Sequence, residues 1–260
     1  MDLGLSGRVA FITGASRGLG RAIALRLAGE GMSIALAARD EAGLRAVAAA
    51  AQAAGARTFV HAGDLSTPAA PAGFATAALA EFGRVDLIVN NAGATPRGDF
   101  LALTDQQWSD GFALKFYAAV RLSRAAWPSL METGGSIVNI AGVGGITGDA
   151  EFTIGGAVNA AMLNLTKCLA DRGTRDGVRV NAIAPGTIAT DRLGVRVKRI
   201  ADERQIAEAD AARQMLAKLN IARFGQPDEI AAAVAYLASG VAGYANGCVL
   251  TIDGGLTRTL

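Results

Sequence analysis

The sequence is poor in cysteine, histidine and net charge. Its 260 residues include two cysteines and one histidine, so we expect neither a disulfide framework nor a metal site, and a reducing cytoplasm fits. Basic residues outnumber acidic ones by only 25 to 23, which argues against nucleic acid or an anionic membrane as the main partner. Cys168, in the middle of a predicted helix, is expected to lie in the core.

Long hydrophobic segments are also scarce. The longest stretch without a charged residue runs from Ile230 to Ile252 and could span a bilayer by length alone. Serine, glycine and asparagine residues divide it into a helix, a loop and a strand, so we interpret it as part of a folded core. Met1 leads almost directly into the first apolar strand, which leaves no room for a signal peptide. We therefore predict a cytoplasmic protein without a membrane segment.

What the chain does contain is a regular alternation of apolar and alanine-rich segments. Hydrophobic residues make up 51% of the sequence and charged residues 18%, as in compact folded proteins. Continuously apolar segments are typical of parallel strands that are buried on both faces. We predict one α/β domain over residues 1–260, a doubly wound seven-stranded parallel sheet with helices on both faces and a crevice at the carboxyl ends of its strands. The predicted strands span residues 9–12, 33–37, 57–60, 85–89, 136–140, 178–183 and 249–252.

The segment from Thr13 to Gly20 joins the first predicted strand to the first predicted helix and carries three glycines. Such a turn directs free backbone N–H groups and the positive end of a helix toward a phosphate. Gly14 permits a tight turn, Gly18 lets a pyrophosphate approach, and Gly20 lets the helix pack on the strand. The pattern predicts a dinucleotide site, and an ordinary strand-to-helix turn is the alternative.

The end of the second predicted strand indicates which dinucleotide this site prefers. A carboxylate there would accept a hydrogen bond from a ribose 2′-hydroxyl, but the position holds Ala38, and Arg39 follows it. Arg17 lies in the glycine turn on the same side. Two guanidinium groups favour a 2′-phosphate, so we predict NADP(H) rather than NAD(H). The alternative is that both arginines are ordinary surface residues.

A charged segment interrupts the alternation at residues 190–220, after the sixth predicted strand and beside the crevice. It is long for a connection within a compact domain. We predict a helical lid that covers a substrate site. The alternative is a pair of solvated helices with intrahelical ion pairs.

Further motifs match those of one family. They are Asp64-Leu65, Asn90-Asn91-Ala92-Gly93, Arg179-Val180-Asn181, Pro185-Gly186, the segment 223–231 and Asp253-Gly254-Gly255. Together with the glycine turn, they resemble the short-chain dehydrogenase/reductase family, especially its 3-oxoacyl-carrier-protein reductase-like branch, over nearly the whole chain. The resemblance implies a Rossmann-type fold, a nicotinamide cofactor, a small-molecule substrate and commonly a homotetramer, with a homodimer as the alternative.

The same resemblance implies a set of cofactor-binding residues. Asp64 and Leu65 match the pair that contacts the adenine, whereas Ile188 and Thr190 match positions that touch the nicotinamide carboxamide and the phosphates. The full predicted set is Gly14, Ser16, Arg17, Gly18, Leu19, Gly20, Arg39, Asp64, Leu65, Asn90, Ala92, Gly93, Ile140, Pro185, Gly186, Ile188 and Thr190.

The catalytic side chains of the family are missing from this sequence. The family uses a tyrosine that transfers the hydroxyl proton, a lysine that lowers the tyrosine pKa, a serine that binds the substrate oxygen and an asparagine in a proton relay. Without gaps, the serine, tyrosine, lysine and asparagine positions hold Gly142, Gly155, Asn159 and Lys115, respectively. No tyrosine occurs between residues 117 and 236, so a small shift of register cannot restore the motif.

Two of these changes are reciprocal, because a lysine and an asparagine have exchanged places. We expect Lys115 to lie near the nicotinamide ribose and to form a hydrogen bond with Asn159, and to act as the acid if burial lowers its pKa. The alternative places Lys115 in solvent or at a subunit interface. Loss of side chains is expected to widen the pocket, which would be lined by Gly144, Gly145, Gly155 and Gly156.

Three functions stay open at this point. The first is an NADP(H)-dependent oxidoreductase that acts on a carbonyl or alcohol with an atypical site. The second is a catalytically inactive cofactor-binding or regulatory subunit, because an alkoxide formed without assistance in an apolar crevice is costly. The third is non-redox chemistry, such as a lyase or hydratase reaction, in the same crevice.

Overall fold

A computed structural model describes residues 2–258 of the chain. Seven parallel strands form one sheet in the order β3-β2-β1-β4-β5-β6-β7. Every strand overlaps its predicted segment, and the predicted seven-stranded parallel sheet is confirmed. The strands are β1 (Val9–Thr13), β2 (Ser33–Ala38), β3 (Thr58–Ala62), β4 (Leu87–Asn90), β5 (Ser136–Ile140), β6 (Arg179–Pro185) and β7 (Val249–Ile252).

Helices cover both faces of the sheet, and β1 illustrates how its two faces are buried. Ala10 and Ile12 belong to one apolar cluster, whereas Phe11 belongs to the opposite one and packs against Phe74, 5.6 Å between ring centroids. A π-helical turn at Ala113–Tyr117 joins two of the helices. The helices are α1 (Gly18–Gly29), α2 (Glu41–Ala53), α3 (Ala70–Phe82), α4 (Asp105–Phe112), α5 (Ala118–Thr133), α6 (Thr153–Asp176), α7 (Asp191–Arg204), α8 (Glu208–Leu219) and α9 (Pro227–Ala238).

Two details correct the sequence interpretation. β4 begins at Leu87, later than predicted. Just before it, the Asp86 side chain, which is paired with Arg84, accepts a hydrogen bond from the Val9 N–H at 2.9 Å. Cys168 is exposed and not part of the core. The buried positions of the second half of α6 include Met162, Thr166 and Ala170, and Cys168 lies two positions away from that stripe.

The uncharged segment at residues 230–252 is divided as expected. It contains most of α9, a 3₁₀ turn at Gly240–Ala242 and β7. Ile230 and Val234 of α9 are fully buried against the sheet. Over residues 2–258, no helix has the length and apolar character needed to cross a membrane.

The strand order reverses at β1, which lies between β2 and β4. At such a reversal the loops on the two sides diverge and leave a crevice at the carboxyl ends of the strands. The loops after β1, β4, β5 and β6 all open onto this end of the sheet, and they carry most of the predicted site residues.

Candidate active site

The glycine turn after β1 depends on three glycines in different ways. Gly14 and Gly18 have φ angles of 66° and 55°, a region that residues with a side chain rarely adopt. A Cβ on Gly20 would lie 2.2 Å from the Gly14 carbonyl oxygen, so only glycine allows α1 to approach the turn. The Asn91 side chain donates to the carbonyls of Thr13 and Gly14 at 3.0 and 3.1 Å and fixes this geometry.

The N-terminus of α1 is open toward the crevice. Its first turn contains no acidic residue, and no side chain of the described residues caps it. Free N–H groups and the positive helix end therefore point at this space, which is the arrangement that a phosphate requires. Ser16, Arg17 and Leu19 belong to the same turn, and Arg17 is exposed.

The end of β2 contains no carboxylate that faces the crevice. Asp40 instead caps α2, where its side chain accepts from the Gly43 N–H at 3.0 Å. Arg39 is exposed, and within residues 2–258 neither Arg39 nor Arg17 takes part in an ion pair. The pKa of Asp64 is lowered, chiefly by a hydrogen bond from the Ser66 backbone and to a smaller extent by the charge of Arg39.

Asn90, at the end of β4, does not direct its side chain into the crevice. The side chain is buried and donates to Asn139 Oδ1 at 2.8 Å and to Ser123 Oγ at 3.3 Å. The Asn90 side chain is therefore part of a buried network, and its Oδ1 has no hydrogen-bond partner among residues 2–258. The next residues do border the crevice: the Ala92 N–H donates to Thr13 Oγ1 at 3.0 Å.

The other predicted cofactor residues lie at the ends of β3, β5 and β6. Leu65 and Ile140 are buried beneath the crevice. Pro185 ends β6, and Gly186 follows it so close to Asp253 that a Cβ would meet the Asp253 Cα at 2.8 Å. Ile188 pairs with Gly225 in an isolated bridge, and Thr190 packs over Gly18, with 3.7 Å between Cγ2 and the position of an added Cβ.

Lys115 and Asn159 are brought together as the sequence predicts. The Lys115 amine donates to Asn159 Oδ1 and to the Ala141 carbonyl, both at 2.6 Å. Lys115 lies on the π-helical turn, Asn159 is buried on α6, and Ala141 follows β5. The aliphatic part of Lys115 packs on Gly93, where an added Cβ would meet Lys115 Cδ at 2.9 Å.

The environment of Lys115 favours the neutral amine. Burial, and to a smaller extent the positive charge of Arg192, lowers the pKa of Lys115 to about 7. Both hydrogen-bond acceptors are neutral amide oxygens, so no carboxylate offsets the cost of burying the charge. An amine with this pKa can release or accept a proton near neutral pH.

The space beside Gly142 is filled by Asn159. Gly142 has a φ angle of 129°, which favours glycine, and an added Cβ would lie 3.1 Å from Asn159 Nδ2. A serine at this position would therefore strain the backbone and crowd the amide. The asparagine and the glycine fit each other, and a change at one position affects the other.

The space beside Gly155 is filled by Phe152. A Cβ on Gly155 would lie 2.0 Å from Cζ of the Phe152 ring, and a Cβ on Gly144 would lie 3.1 Å from the same ring. The expectation of a pocket widened at Gly155 is therefore wrong, because the aromatic ring occupies the space that the missing side chain leaves. A cavity of about 570 Å³ does remain beside it, lined among others by Gly144, Gly145 and Gly156.

The charged segment at residues 190–220 folds into α7 and α8, which share a small core that includes Leu193, Val197 and Met215. Residues with i,i+4 spacing, such as Lys198 and Asp202, form ion pairs on the solvent-exposed side of α7. In the first turn of α7, Arg192 donates to the carbonyl of Gly93, in the loop after β4, at 2.9 Å.

Sequence reasoning missed three contributors to this site. Phe152 had no assigned role, although it precedes Gly155 by one helical turn and an i,i+3 contact is the signal that could have indicated it. Arg97 stacks on Phe152, 4.3 Å from the guanidinium carbon to the ring centroid. The Ala141 carbonyl binds Lys115 through its backbone, which no side-chain pattern reveals.

Known proteins are similar to this chain over nearly its whole length. A family model described as Enoyl-(Acyl carrier protein) reductase matches residues 14–257. The chain is 38% identical over 256 residues to an uncharacterised oxidoreductase of Mycobacterium tuberculosis, covering 97% of this chain and 93% of that protein. The chain belongs to the short-chain dehydrogenase/reductase family.

Two further relatives of this short-chain dehydrogenase/reductase carry more specific descriptions. A 3-oxoacyl-[acyl-carrier-protein] reductase of Escherichia coli is 33% identical over 255 residues, covering 98% of this chain and 99% of that protein. The crystal structure of L-sorbose reductase from Gluconobacter frateurii, complexed with NADPH and L-sorbose, is similar over 100% of both chains, with a TM-score of 0.96 and 32% identity.

Proposed function

We propose that this protein is an NADP(H)-dependent oxidoreductase that interconverts a carbonyl and an alcohol without the serine, tyrosine, lysine and asparagine of its family. The positions Gly142, Gly155, Asn159 and Lys115 replace those four residues. The observation that carries the proposal is the Lys115 amine, held in the crevice by Asn159 and Ala141 at 2.6 Å. Lys115 takes the role of proton donor that the tyrosine has in the family.

The cofactor assignment has support from two directions. The open N-terminus of α1 and the glycines of the turn fit a pyrophosphate, and the unpaired Arg17 and Arg39 fit a 2′-phosphate. A relative with a TM-score of 0.96 is described as complexed with NADPH. In our proposal, Asp64 and Leu65 border the adenine, and Ile188 and Thr190 border the nicotinamide end.

The proposed chemistry separates the work of the cofactor from that of the protein. When bound, NADPH would supply the hydride that the carbonyl carbon needs. The Lys115 ammonium then donates its proton to the oxygen on which negative charge develops. Asn159 Oδ1 and the Ala141 carbonyl orient the amine, and a pKa of about 7 makes the proton available at neutral pH.

The experiment is single-turnover mixing of the protein with NADPH and a panel of ketones and aldehydes, followed at the absorbance of the reduced nicotinamide. The proposal expects oxidation of NADPH with at least one carbonyl compound and formation of the matching alcohol. Titration of NADPH and NADH by calorimetry accompanies it, and equal affinity for the two would contradict the NADP(H) preference.

A second candidate is a cofactor-binding or regulatory subunit without turnover. The observation that favours it is Phe152, whose ring fills the tyrosine position but has no hydroxyl group to donate. In that case NADPH binds but no carbonyl compound oxidises it. Non-redox chemistry in the same crevice is distinguished by product formation that leaves the NADPH absorbance unchanged.

We propose that the chain forms a single domain, as the sequence predicts, and that α7 and α8 form a lid over the crevice. Its support is the hydrogen bond from Arg192 to the Gly93 carbonyl, which joins the helix pair to the opposite wall. We also propose a homotetramer, or a homodimer, in the cytoplasm. Analytical ultracentrifugation measures the oligomeric state.

A further inference from the structure

The entrance of the crevice is bordered by cations that the proposed chemistry does not use. Gly93 contacts Lys115 on one side and accepts a hydrogen bond from Arg192 on the other. Arg196 lies on the same face of α7, four residues or about 6 Å further along the axis. Arg97 belongs to the same loop as Gly93, and the charges of Arg97 and Asp149 both influence the pKa of Arg196.

Arg97 is a fixed part of this border. Its Nη1 is 2.8 Å from Asp149 Oδ2, and its guanidinium stacks on the Phe152 ring at 4.3 Å. The Gly98 N–H donates to the Glu151 carbonyl at 3.0 Å, which ties the two loops together. Arg97 therefore has an acid partner and an aromatic platform, and its charge is largely balanced.

Arg196 lacks such a partner. It is half-buried, and among residues 2–258 its side chain makes neither a hydrogen bond nor an ion pair. Burial, followed by the nearby charge of Arg97, lowers its pKa, whereas the charges of Asp149 and Glu151 raise it, although neither carboxylate forms an ion pair with it. A partly buried guanidinium without an acceptor is unfavourable, and a carboxylate satisfies it through two parallel hydrogen bonds.

We propose that Arg196 binds the carboxylate of an oxo-acid substrate. This inference rests on the proposed carbonyl chemistry and adds the substrate class to it. The carboxylate lies between Arg196 and Arg97, and the carbonyl group extends along the crevice toward Lys115. Phe152 closes the space beside Gly155.

Calorimetry on the NADP⁺-saturated protein tests this without requiring turnover. The probes are 3-oxobutanoate, 4-oxopentanoate and 5-oxohexanoate, each compared with its own methyl ester, which keeps the carbonyl but removes the charge. We expect at least one acid to bind about tenfold more tightly than its ester, a difference of about 1.4 kcal/mol. Equal binding of every acid and ester, or no binding of any acid, would overturn the proposal.

Two variants of α7 locate the effect. Arg196→Gln should reduce the preference for the acid to less than about twofold. Arg199→Gln is the matched control, because Arg199 is exposed on the same helix and its Nε is 3.8 Å from Glu203. It should retain the preference, and loss in both variants alike would contradict a specific role of Arg196. An inactive protein that still prefers the acid would refute the proposed turnover but not this inference.

Discussion

The two halves of the crevice differ in what determines their geometry: the backbone in one half and side-chain packing in the other. Around β1 and β2, the glycine turn matches the family pattern, and its geometry depends on backbone conformation and close approach, as at Gly14 and Gly20. Around β5 and α6, side chains occupy the space beside glycines, Asn159 beside Gly142 and Phe152 beside Gly155. We propose that Gly142, Gly155 and Asn159 stand where the family has catalytic side chains.

This difference indicates how each half tolerates change. A phosphate site built from N–H groups and a helix end requires glycine at fixed positions, so a single added carbon is harmful. A catalytic site built from side chains can exchange them in pairs, because the volume and the hydrogen bonds can be restored by a neighbour. In our proposal, Lys115 and Asn159 are such an exchange, and the hydrogen bond between them supports it.

The largest effect is expected at the glycine turn. Gly20→Ala places a Cβ 2.2 Å from the Gly14 carbonyl, so it should lower the free energy of unfolding by about 3 kcal/mol. NADPH binding should weaken about 100-fold. Gly29→Ala on the same helix is the control, because its Cβ meets no atom within 4 Å. If both variants keep full stability and affinity, the cofactor half does not depend on close backbone approach.

A smaller effect is expected in the catalytic half. Gly155→Tyr forces the new side chain against Phe152, and we expect a loss of about 2 kcal/mol in stability. The double variant Gly155→Tyr/Phe152→Ala should be more stable, by about 1 kcal/mol in the free energy of unfolding, than the sum of the two single effects predicts. Urea denaturation of the four proteins in this cycle measures the coupling. Additive effects would mean that Phe152 does not fill the tyrosine position.

The smallest effect is expected at the edge of the cofactor half, where a side chain rather than the backbone supplies specificity. Arg39→Gln should weaken NADPH binding about tenfold and leave NADH binding nearly unchanged. Arg45→Gln is the matched control, because Arg45 is already paired with Glu41 on α2. Equal losses for the two cofactors would place Arg39 away from the 2′-phosphate.

Much of the fold could be predicted because its signal is local. The apolar segments at residues 136–140 and 249–252 coincide with β5 and β7. β5 is central and buried at every position, so it needs no alternation, whereas β7 forms the edge of the sheet. Cys168 and the start of β4 could not be predicted in the same way. The face of α6 that meets the sheet, and the hydrogen bond from Val9 to Asp86, depend on contacts between distant segments.

In the candidate site, too, some contacts could be predicted from the sequence and others could not. The contact between Lys115 and Asn159 could be predicted, because the resemblance to the family suggests that the two positions approach each other. Phe152 could not, because the resemblance concerns the residue at position 155 and does not reveal which neighbour fills the space beside it. Asn90 illustrates the converse, since the motif is present but its side chain serves a buried network with Asn139 and Ser123.

The pH dependence of single-turnover NADPH oxidation, in the wild type and in Lys115→Met, tests the central claim most directly. The ammonium form donates the proton, so the rate of carbonyl reduction should be constant below a pH of about 7 and fall tenfold per unit above it. Lys115→Met should bind NADPH normally, react about 100-fold more slowly and lose this inflection. An unchanged rate and inflection in Lys115→Met, or NADPH binding without oxidation at any pH in the wild type, would contradict the account.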